Sequence, residues 1–355
     1  MARRIVGCHK IPRVRRPREA APPGPDRDLS KKQEENKVEK NPNKAVIVGA
    51  GMVGAAVLGA LLGDNLLSEI VLIDQNRDRA AGEALDASHT TAFAYSARAQ
   101  VRAGDYADCA DAGIVVMTAG PSIKPGETPD RLKLAGQNTQ ITREVMAQIT
   151  RYTREAILIA VTNPVDIVTY CAQAEFDYPR ERVIGTGTLL DTARLRQMIA
   201  ASCHVDGKNV HGYVLGEHGG GAFVPWGLVD VAGVPVDKLH AAFDLPAPLN
   251  REELLEKTKA AGFEIITRKG YTSAGIAASV ARVVKGILLD ERCILPLSTV
   301  QNGACGLSGV ALSLPSILGK NGVEQVIEVP LQPGERDQLQ QCAAHLKATL
   351  GQVGL

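Results

Sequence analysis

The chain has 355 residues, of which 45% are hydrophobic and 22% are charged, and its formal net charge is +1. This composition is typical of a globular protein with one large or two ordinary domains, and it excludes collagen, a small disulfide scaffold and a wholly disordered chain. Because the net charge is near zero, we expect neither nucleic acid nor a membrane as a partner. The seven cysteines include no CxxC pair, which indicates reduced thiols, a cytoplasmic protein and no bound metal.

Residues 1–43 differ from the rest of the chain. They contain six of the 19 prolines, and they carry 12 Lys and Arg against 6 Asp and Glu. No apolar periodicity runs through them, so the sequence predicts a disordered basic tail, unless translation starts further downstream. Prolines interrupt any amphipathic helix, and no long apolar segment follows the first basic residues, which disfavours a transit peptide and a secretory signal.

Residues 45–63 contain no charge and end in a GxxxG pair, as a membrane-spanning helix can. Five of these 19 residues are glycine, however, and the segment divides into a β-branched strand (45–48), the turn GAGMVG (49–54) and an Ala/Leu-rich helix that ends near Gly63. The sequence therefore predicts a strand, a glycine turn and a helix.

A second strand follows at 70–73, and Asp74 lies at its carboxyl end, 20 residues after Gly54. Gly49, Gly51 and Gly54 allow the backbone to turn tightly and to approach a pyrophosphate at a helix N-terminus, while Asp74 accepts hydrogen bonds from the adenosine ribose. This spacing predicts dinucleotide binding. The carboxylate favours NAD, although Arg77 and Arg79 keep NADP open as an alternative.

The alternation continues with strands near 100–102, 114–117 and 156–161 and with a helix near 131–151. Strands that alternate with helices predict an α/β fold with a parallel, doubly wound Rossmann sheet. Residues 118–120 and 162–163 then lie at strand carboxyl ends, where such folds bind ligands.

The chain resembles the lactate and malate dehydrogenase family over about residues 44–350, and most closely its L-lactate and L-2-hydroxyacid branch. The resemblance rests on GAGMVG at 49–54, the segment 104–120, VTNP at 161–164, GTGTLLDTARLR at 185–196, LGEHG at 215–219 and KGYTSAGIA at 269–277. It implies an NAD-binding domain at 44–184, a C-terminal α+β substrate domain at 185–355, a small 2-hydroxy or 2-oxo acid as substrate, and a homodimer or homotetramer.

Oxidation of a 2-hydroxy acid needs a base for the hydroxyl proton, a cation for the carboxylate and a hydride acceptor. His218, flanked by glycines after a strand predicted at 210–215, is the candidate base. Asp191 and Arg194 are three residues apart on one helix and share a face. By resemblance, Asp191 orients His218 and Arg194 binds the substrate carboxylate, although an exposed ion pair is the alternative.

The resemblance also implies roles that the residues alone do not reveal. Residues 120–129 resemble a mobile lid that ends at Arg131, which would polarise the substrate oxygen, although Pro129 and Asp130 are inserted relative to the family pattern. Asn163 would bind the substrate oxygen and Thr272 would lie beside the substrate. The implied cofactor-binding residues, beyond the glycines and Asp74, are Val53, Arg79, Tyr106, Gly120, Thr162, Asn163 and Ile276.

Substrate choice is predicted from Ile123 in the lid, where the family carries glutamine with lactate and arginine with malate. Isoleucine cannot pair with a second carboxylate, which disfavours malate. The sequence predicts an L-lactate dehydrogenase that interconverts (S)-lactate and pyruvate. An L-2-hydroxyisocaproate dehydrogenase is the enzymatic alternative, and a non-catalytic NAD-binding protein is the alternative of another class.

Two further features bear on regulation and rigidity. Arg196 and His211 match the residues that bind fructose 1,6-bisphosphate in allosteric members of the family, and a solvated pair is an equal alternative. Gly220 and Gly221 follow His218 where the family usually has Asp or Asn and then Ser. We therefore expect hydrogen bonds that stiffen the catalytic turn to be missing.

Overall fold

The computed structural model describes residues 39–93, 98–121 and 131–355. The strands are β1 (Asn41–Val48), β2 (Glu69–Ile73), β3 (Gln100–Ala103), β4 (Ala112–Met117), β5 (Ile157–Ala160), β6 (Val183–Gly185), β7 (Val210–His211), β8 (Asp230–Val231), β9 (Val234–Pro235), β10 (Cys293–Asn302), β11 (Ser308–Gly319) and β12 (Gly322–Val326). The helices are α1 (Met52–Asp64), α2 (Arg77–His89), α3 (Arg131–Ile149), α4 (Val165–Ala174), α5 (Leu189–Cys203), α6 (Leu239–Ala242), α7 (Arg251–Lys269), α8 (Ala274–Leu288) and α9 (Pro333–Gln352).

Nine of these strands form one sheet, in the order β12-β11-β10-β6-β5-β4-β1-β2-β3. Strands β1 to β6 run parallel, and their order β3-β2-β1-β4-β5-β6 is that of a dinucleotide-binding sheet. Strands β10, β11 and β12 extend the sheet in antiparallel fashion, and β7, β8 and β9 form a small antiparallel sheet of their own. The predicted Rossmann fold with a C-terminal α+β part is confirmed.

The sheet is continuous where the sequence predicts a domain boundary at 184. Strand β10 pairs with β6 through Ser298 and Gly185, and residues 39–355 form one compact unit. A side chain at Gly185 would place a Cβ 2.3 Å from Thr169 Oγ1 and 2.9 Å from Ser298 Cβ, so glycine allows this close approach. The boundary itself stays a prediction.

Strand β1 begins at Asn41, within the last residues of the predicted tail. The Asn41 amide donates to Asp111 O over 2.8 Å, and Asn43 O accepts from the Ser68 amide over 2.9 Å, so these residues already belong to the sheet. The other predictions about the tail concern residues 1–38, which lie outside the described part of the chain.

The uncharged run at 45–63 is explained by burial on both faces of the sheet. Ala45 and Ile47 pack towards α1 and α8, while Val46 and Val48 pack towards Met146 of α3 on the opposite face. A parallel strand covered on both faces needs apolar residues at every position. Within the described residues, no helix is both long enough and apolar enough to cross a membrane.

Candidate active site

The glycine turn between β1 and α1 combines close packing with one open position. Gly49 has a φ of +107°, which glycine adopts without strain. A Cβ at Gly54 would lie 1.9 Å from Gly49 O, so only glycine fits there. A Cβ at Gly51, the N-cap of α1, would meet nothing within 4 Å. The turn therefore leaves a space beside the helix N-terminus, where backbone amides favour a phosphate.

Asp74, predicted to bind the ribose, also stabilises this turn. Its Oδ2 accepts a hydrogen bond from the Ala50 amide over 2.7 Å, and its Oδ1 accepts one from the Asn76 amide over 2.8 Å. A carboxylate has about four acceptor positions, so two stay available for ribose hydroxyls. The space at Gly51 and the free acceptors of Asp74 fit the adenosine and pyrophosphate of a dinucleotide.

Two threonines link the segments that follow β1, β4 and β5. Thr118 Oγ1 donates to Gly49 O over 2.9 Å, and Thr162 Oγ1 donates to Ala119 O over 2.8 Å. Gly120 is at φ +153°, and a Cβ there would lie 2.5 Å from Asn138 Oδ1. The carboxyl ends of β1, β4 and β5 thus form one edge, as the sequence predicts.

The other predicted cofactor-binding residues lie on α1, on α2, after β3 and on α8. Val53 and Ile276 are partly buried and pack against the same apolar cluster, which joins α1 to α8. Tyr106 is half-buried, and burial raises the pKa of its hydroxyl. Arg79 is exposed near the start of α2. Their contacts with NAD stay predictions.

The structure brings together the three residues that the sequence predicts for catalysis. His218 Nδ1 lies 2.6 Å from Asp191 Oδ2, and Arg194 Nη1 donates to Asp191 Oδ1 over 2.9 Å. The side chain of Asp191 is 7% exposed and that of His218 is 25% exposed, so the ring reaches solvent while its partner is buried. Because a carboxylate only accepts hydrogen bonds, Nδ1 carries a hydrogen and Nε2 is left to exchange a proton.

The electrostatics of this group favour a protonated histidine beside an ionised aspartate. Burial disfavours the imidazolium, but the charge and hydrogen bond of Asp191, together with the charge of Asp166, outweigh it and raise the pKa of His218. Burial also disfavours ionisation of Asp191, but His218 and Arg194 outweigh it and lower the pKa of Asp191. The pair therefore favours a proton on His218 and a negative charge on Asp191.

The strand predicted at 210–215 is wrong in its extent, because β7 ends at His211. Gly212 follows at φ +143°, outside the conformation of a strand. The Val214 amide then donates to Thr192 Oγ1 over 2.9 Å, and only the Leu215 bridge to Phe223 is strand-like. The approach to His218 is therefore fixed by α5 rather than by a long strand.

The catalytic turn, defined as residues 216–221, is held by bonds that the sequence does not reveal. Gly216 exchanges two backbone hydrogen bonds with Ser313 of β11, over 3.0 and 2.8 Å. Glu217 receives at its Oε2 the amide of Gly221 over 3.1 Å, and its own amide donates to Cys342 Sγ over 3.1 Å. A Cβ at Gly221 would lie 2.8 Å from Glu217 Oε2. Glycine thus makes room for the carboxylate that stiffens the turn.

Sequence reasoning missed Asp166 and its partner Ser298. Asp166 Oδ2 accepts from the His218 amide over 2.8 Å, and its Oδ1 accepts from Ser298 Oγ over 2.6 Å. One signal was present in the sequence, since Asp166 is the only charged residue between positions 156 and 171. An acid within an apolar segment is expected to be buried with a specific partner.

The predicted substrate-binding residues are placed to different degrees. Asn163 has an exposed side chain at the end of β5, and its carbonyl oxygen accepts from Asn138 Nδ2 over 2.6 Å. Thr272 is partly exposed just before α8. Helix α3 begins at Arg131, but the Arg131 side chain and Ile123 lie outside the described residues, as do the other residues of the predicted lid from 122 to 129.

Arg196 and His211 are both engaged within the chain. Arg196 donates twice to Gly212 O, over 3.1 and 3.0 Å, and its guanidinium lies 5.5 Å from the Tyr213 ring centroid. Burial lowers the pKa of Arg196. His211 is exposed, with its Nδ1 3.0 Å from Asp230 Oδ1. An anion at this position would have to tolerate the Asp230 carboxylate.

Comparison with known families covers nearly all of the described chain. Residues 43–185 match the model of the lactate/malate dehydrogenase NAD binding domain, and residues 188–354 match that of the lactate/malate dehydrogenase alpha/beta C-terminal domain. L-lactate dehydrogenase 2 of Clostridium acetobutylicum is 53% identical over 308 residues, which are 87% of this chain and 96% of that protein. An L-lactate dehydrogenase of Selenomonas ruminantium is 44% identical over 315 residues, covering 89% and 99% of the two chains.

Solved structures agree with these sequence comparisons. The minor L-lactate dehydrogenase from Enterococcus mundtii, in a ligands-bound form, aligns with a TM-score of 0.83 at 39% identity, over 88% of this chain and 99% of that one. A lactate dehydrogenase from a Medee basin deep-sea metagenome library aligns with a TM-score of 0.84 at 38% identity, with the same coverage.

Proposed function

Because the chain belongs to the lactate/malate dehydrogenase family, we propose that it is an NAD-dependent L-lactate dehydrogenase that interconverts (S)-lactate and pyruvate. The observation that supports this most directly is the bonded series Arg194–Asp191–His218, in which one buried carboxylate holds a ring at 2.6 Å and a guanidinium at 2.9 Å. A proton carrier and a carboxylate-binding cation are thereby fixed side by side.

Three residues of the chain have separate roles in this reaction. His218 takes the hydroxyl proton of lactate at Nε2, and in the reverse direction it donates that proton to the pyruvate oxygen. Asp191 keeps Nδ1 protonated and stabilises the imidazolium. Arg194 uses one nitrogen on Asp191, and its planar guanidinium has further donors for the substrate carboxylate. NAD, when bound, supplies the hydride acceptor.

Substrate preference is assigned to the lid. We expect Ile123 to accept an apolar side chain, Arg131 to polarise the substrate oxygen, and Asn163 and Thr272 to complete the pocket. One methylene in an apolar pocket changes discrimination by only ~1 to 3 kcal/mol, so 2-ketoisocaproate is the competing substrate that matters. Oxaloacetate is disfavoured because its second carboxylate would lack a partner.

The test is NADH oxidation by purified protein against pyruvate, 2-ketoisocaproate and oxaloacetate, compared as kcat/KM. We expect pyruvate to be preferred, and a His218→Gln variant to lose turnover while it retains NADH binding. A preference for 2-ketoisocaproate would replace the lactate assignment with the hydroxyisocaproate alternative. NADH binding without turnover of any of the three would favour a non-catalytic NAD-binding protein.

Three finer features belong to this proposal. The enzyme is a homodimer or homotetramer, as the family resemblance implies, and the cysteine usage favours the cytoplasm. Arg196 and His211 contribute to a fructose 1,6-bisphosphate site that activates it. Activation of the wild type but not of a His211→Gln variant supports the effector site, and a wild type insensitive to the sugar bisphosphate removes it. Mass measurement in solution, with and without the effector, decides the oligomeric state.

A further inference from the structure

Asp166 is a buried carboxylate that the proposed mechanism does not use. Asp166 is 2% exposed and lies in the first turn of α4, three positions after Asn163. Its two oxygens reach different elements, the His218 amide in the catalytic turn and Ser298 Oγ in β10. A helix N-terminus stabilises a negative charge, so this position suits an ionised side chain.

The bond to the His218 amide fixes the backbone from which the catalytic ring projects. Ser298 is fully buried in β10, between β11 and β6, so its hydroxyl anchors Asp166 to the sheet. A side chain without an oxygen at this position would leave the His218 amide without this acceptor, beside groups that are buried. An unpaired buried N–H costs about 1 to 3 kcal/mol, enough to favour another conformation of the turn.

The charged and titratable groups around Asp166 and His218 come from three elements. Helix α5 contributes Asp191 and Arg194, the catalytic turn contributes Glu217, and α9 contributes Cys342. Burial raises the pKa of the Cys342 thiol to about 12, so it is neutral, and the β10 partner Ser298 carries no charge. Arg194 opposes protonation of His218, whereas the two aspartates favour it.

We propose that Asp166 is a positioning residue that fixes the backbone of His218 and supplies a second negative charge that keeps the imidazole ring protonated. This inference rests on the proposed function, because it assumes that His218 exchanges the substrate proton. Burial raises the pKa of Asp166 to about 6, against the hydrogen bonds from Ser298 and His218. Asp166 is therefore mostly ionised above that pH, in the range where the ring must hold its proton.

The test uses Asp166→Asn, which keeps the size of the side chain and an acceptor oxygen but removes the charge. Pyruvate reduction requires the imidazolium, so its kcat/KM falls as pH rises through the pKa of His218. A neighbouring opposite charge shifts a pKa by about 1 to 3 units. Because Asp166 bonds the His218 amide and not its ring, we expect the pKa of His218 to fall by only roughly 0.5 to 1 unit in this variant. The falling limb of the plot of kcat/KM against pH then moves to lower pH. At pH values above this limb, kcat/KM drops about three- to tenfold.

A second variant, Ser298→Ala, removes one hydrogen bond to Asp166 and keeps its charge. Loss of this bond raises the pKa of Asp166 further, so more of the carboxyl group is neutral near pH 6 to 7. We expect kcat/KM of Ser298→Ala to resemble that of Asp166→Asn in this range and to approach that of the wild type at higher pH. The matched control is Asp108→Asn. Asp108 lies between β3 and β4 and bonds Arg102 of β3 and Lys44 of β1, so its loss lowers the Tm without moving the limb.

A readout independent of turnover is the NMR titration of the His218 ring, identified by its absence in His218→Gln. A midpoint lowered in Asp166→Asn but not in Asp108→Asn supports the proposal. An unchanged midpoint and an unchanged limb overturn it, even if the Tm falls. If the wild type reduces none of the 2-oxo acids, the proposed function fails, whereas an unchanged ring titration refutes the role of Asp166 separately.

Discussion

Replacement of Gly51 by alanine separates cofactor binding from folding. Gly51 has φ −77° and ψ −171°, which alanine adopts, and the added Cβ would meet no protein atom within 4 Å. Glycine and alanine differ by only ~1 kcal/mol or less at an N-cap, and alanine also reduces the entropy of the unfolded chain by a similar amount. We therefore expect the Tm of Gly51→Ala to stay close to that of the wild type.

NADH binding is expected to respond differently, because we expect the pyrophosphate to approach the first turn of α1 through the open space at Gly51. A phosphate oxygen that accepts from the backbone amides of the first turn of α1 lies about 2.9 Å from their nitrogen atoms. This distance leaves no room for a methyl group on the Cα of Gly51. We expect the Kd for NADH to rise at least ~10-fold, or about 1.4 kcal/mol. Titration of NADH fluorescence measures the Kd, and differential scanning calorimetry measures the Tm.

Gly54→Ala is the matched contrast. Its Cβ would lie 1.9 Å from Gly49 O, so the turn itself must move, and both Tm and NADH affinity fall. Wild-type NADH affinity in Gly51→Ala would refute the reasoning, because the pyrophosphate would then not use this face of the turn. A large loss of Tm in Gly51→Ala would refute the claim that the position is open.

Three further changes test the catalytic group. Asp191→Asn removes the carboxylate that raises the pKa of His218, so the falling limb of pyruvate reduction moves to lower pH and kcat drops by about 10²-fold or more, whereas NADH affinity is retained. Arg194→Lys replaces a planar two-point donor with a point charge, and we expect the KM for pyruvate to rise at least ~10-fold in steady-state assays. Gly221→Ala places a Cβ 2.8 Å from Glu217 Oε2 and displaces the bond that stiffens the turn. Its kcat should fall several-fold with the Kd for NADH unchanged, and a wild-type kcat would show that this bond does not position His218.

Much of the fold follows from local patterns that tolerate little ambiguity. The apolar run of β1, the glycine turn and the acid after β2 are separated by short distances along the chain, so spacing alone predicts their geometry. The parallel order of β1 to β6 follows from alternating strands and helices. Strand ends were predicted less well: β7 ends at His211, because Gly212 and the Thr192 hydroxyl take over the backbone after it.

His218, Asp191 and Arg194 were predicted as candidates because their types match the chemistry and their motifs match a family. The sequence by itself thus determined the doubly wound sheet, the cofactor turn and the candidates His218, Asp191 and Arg194. Their mutual distances required the folded chain, since His218 and Asp191 are 27 residues apart. The hydrogen bonds that join residues 216–221 to other elements could also be found only in the folded chain, because their partners lie far away in the sequence.

Asp166 shows the difference most clearly. It is 52 residues from the His218 amide that it accepts and 132 residues from Ser298. Hydrogen bonds across such separations depend on which strands and helices pack side by side, and no local periodicity records them. Sequence could indicate that a lone acid in an apolar segment needs a partner. Only the packing of α4 against β10 and against residues 216–221 decided that the partners are the Ser298 hydroxyl and the backbone of His218.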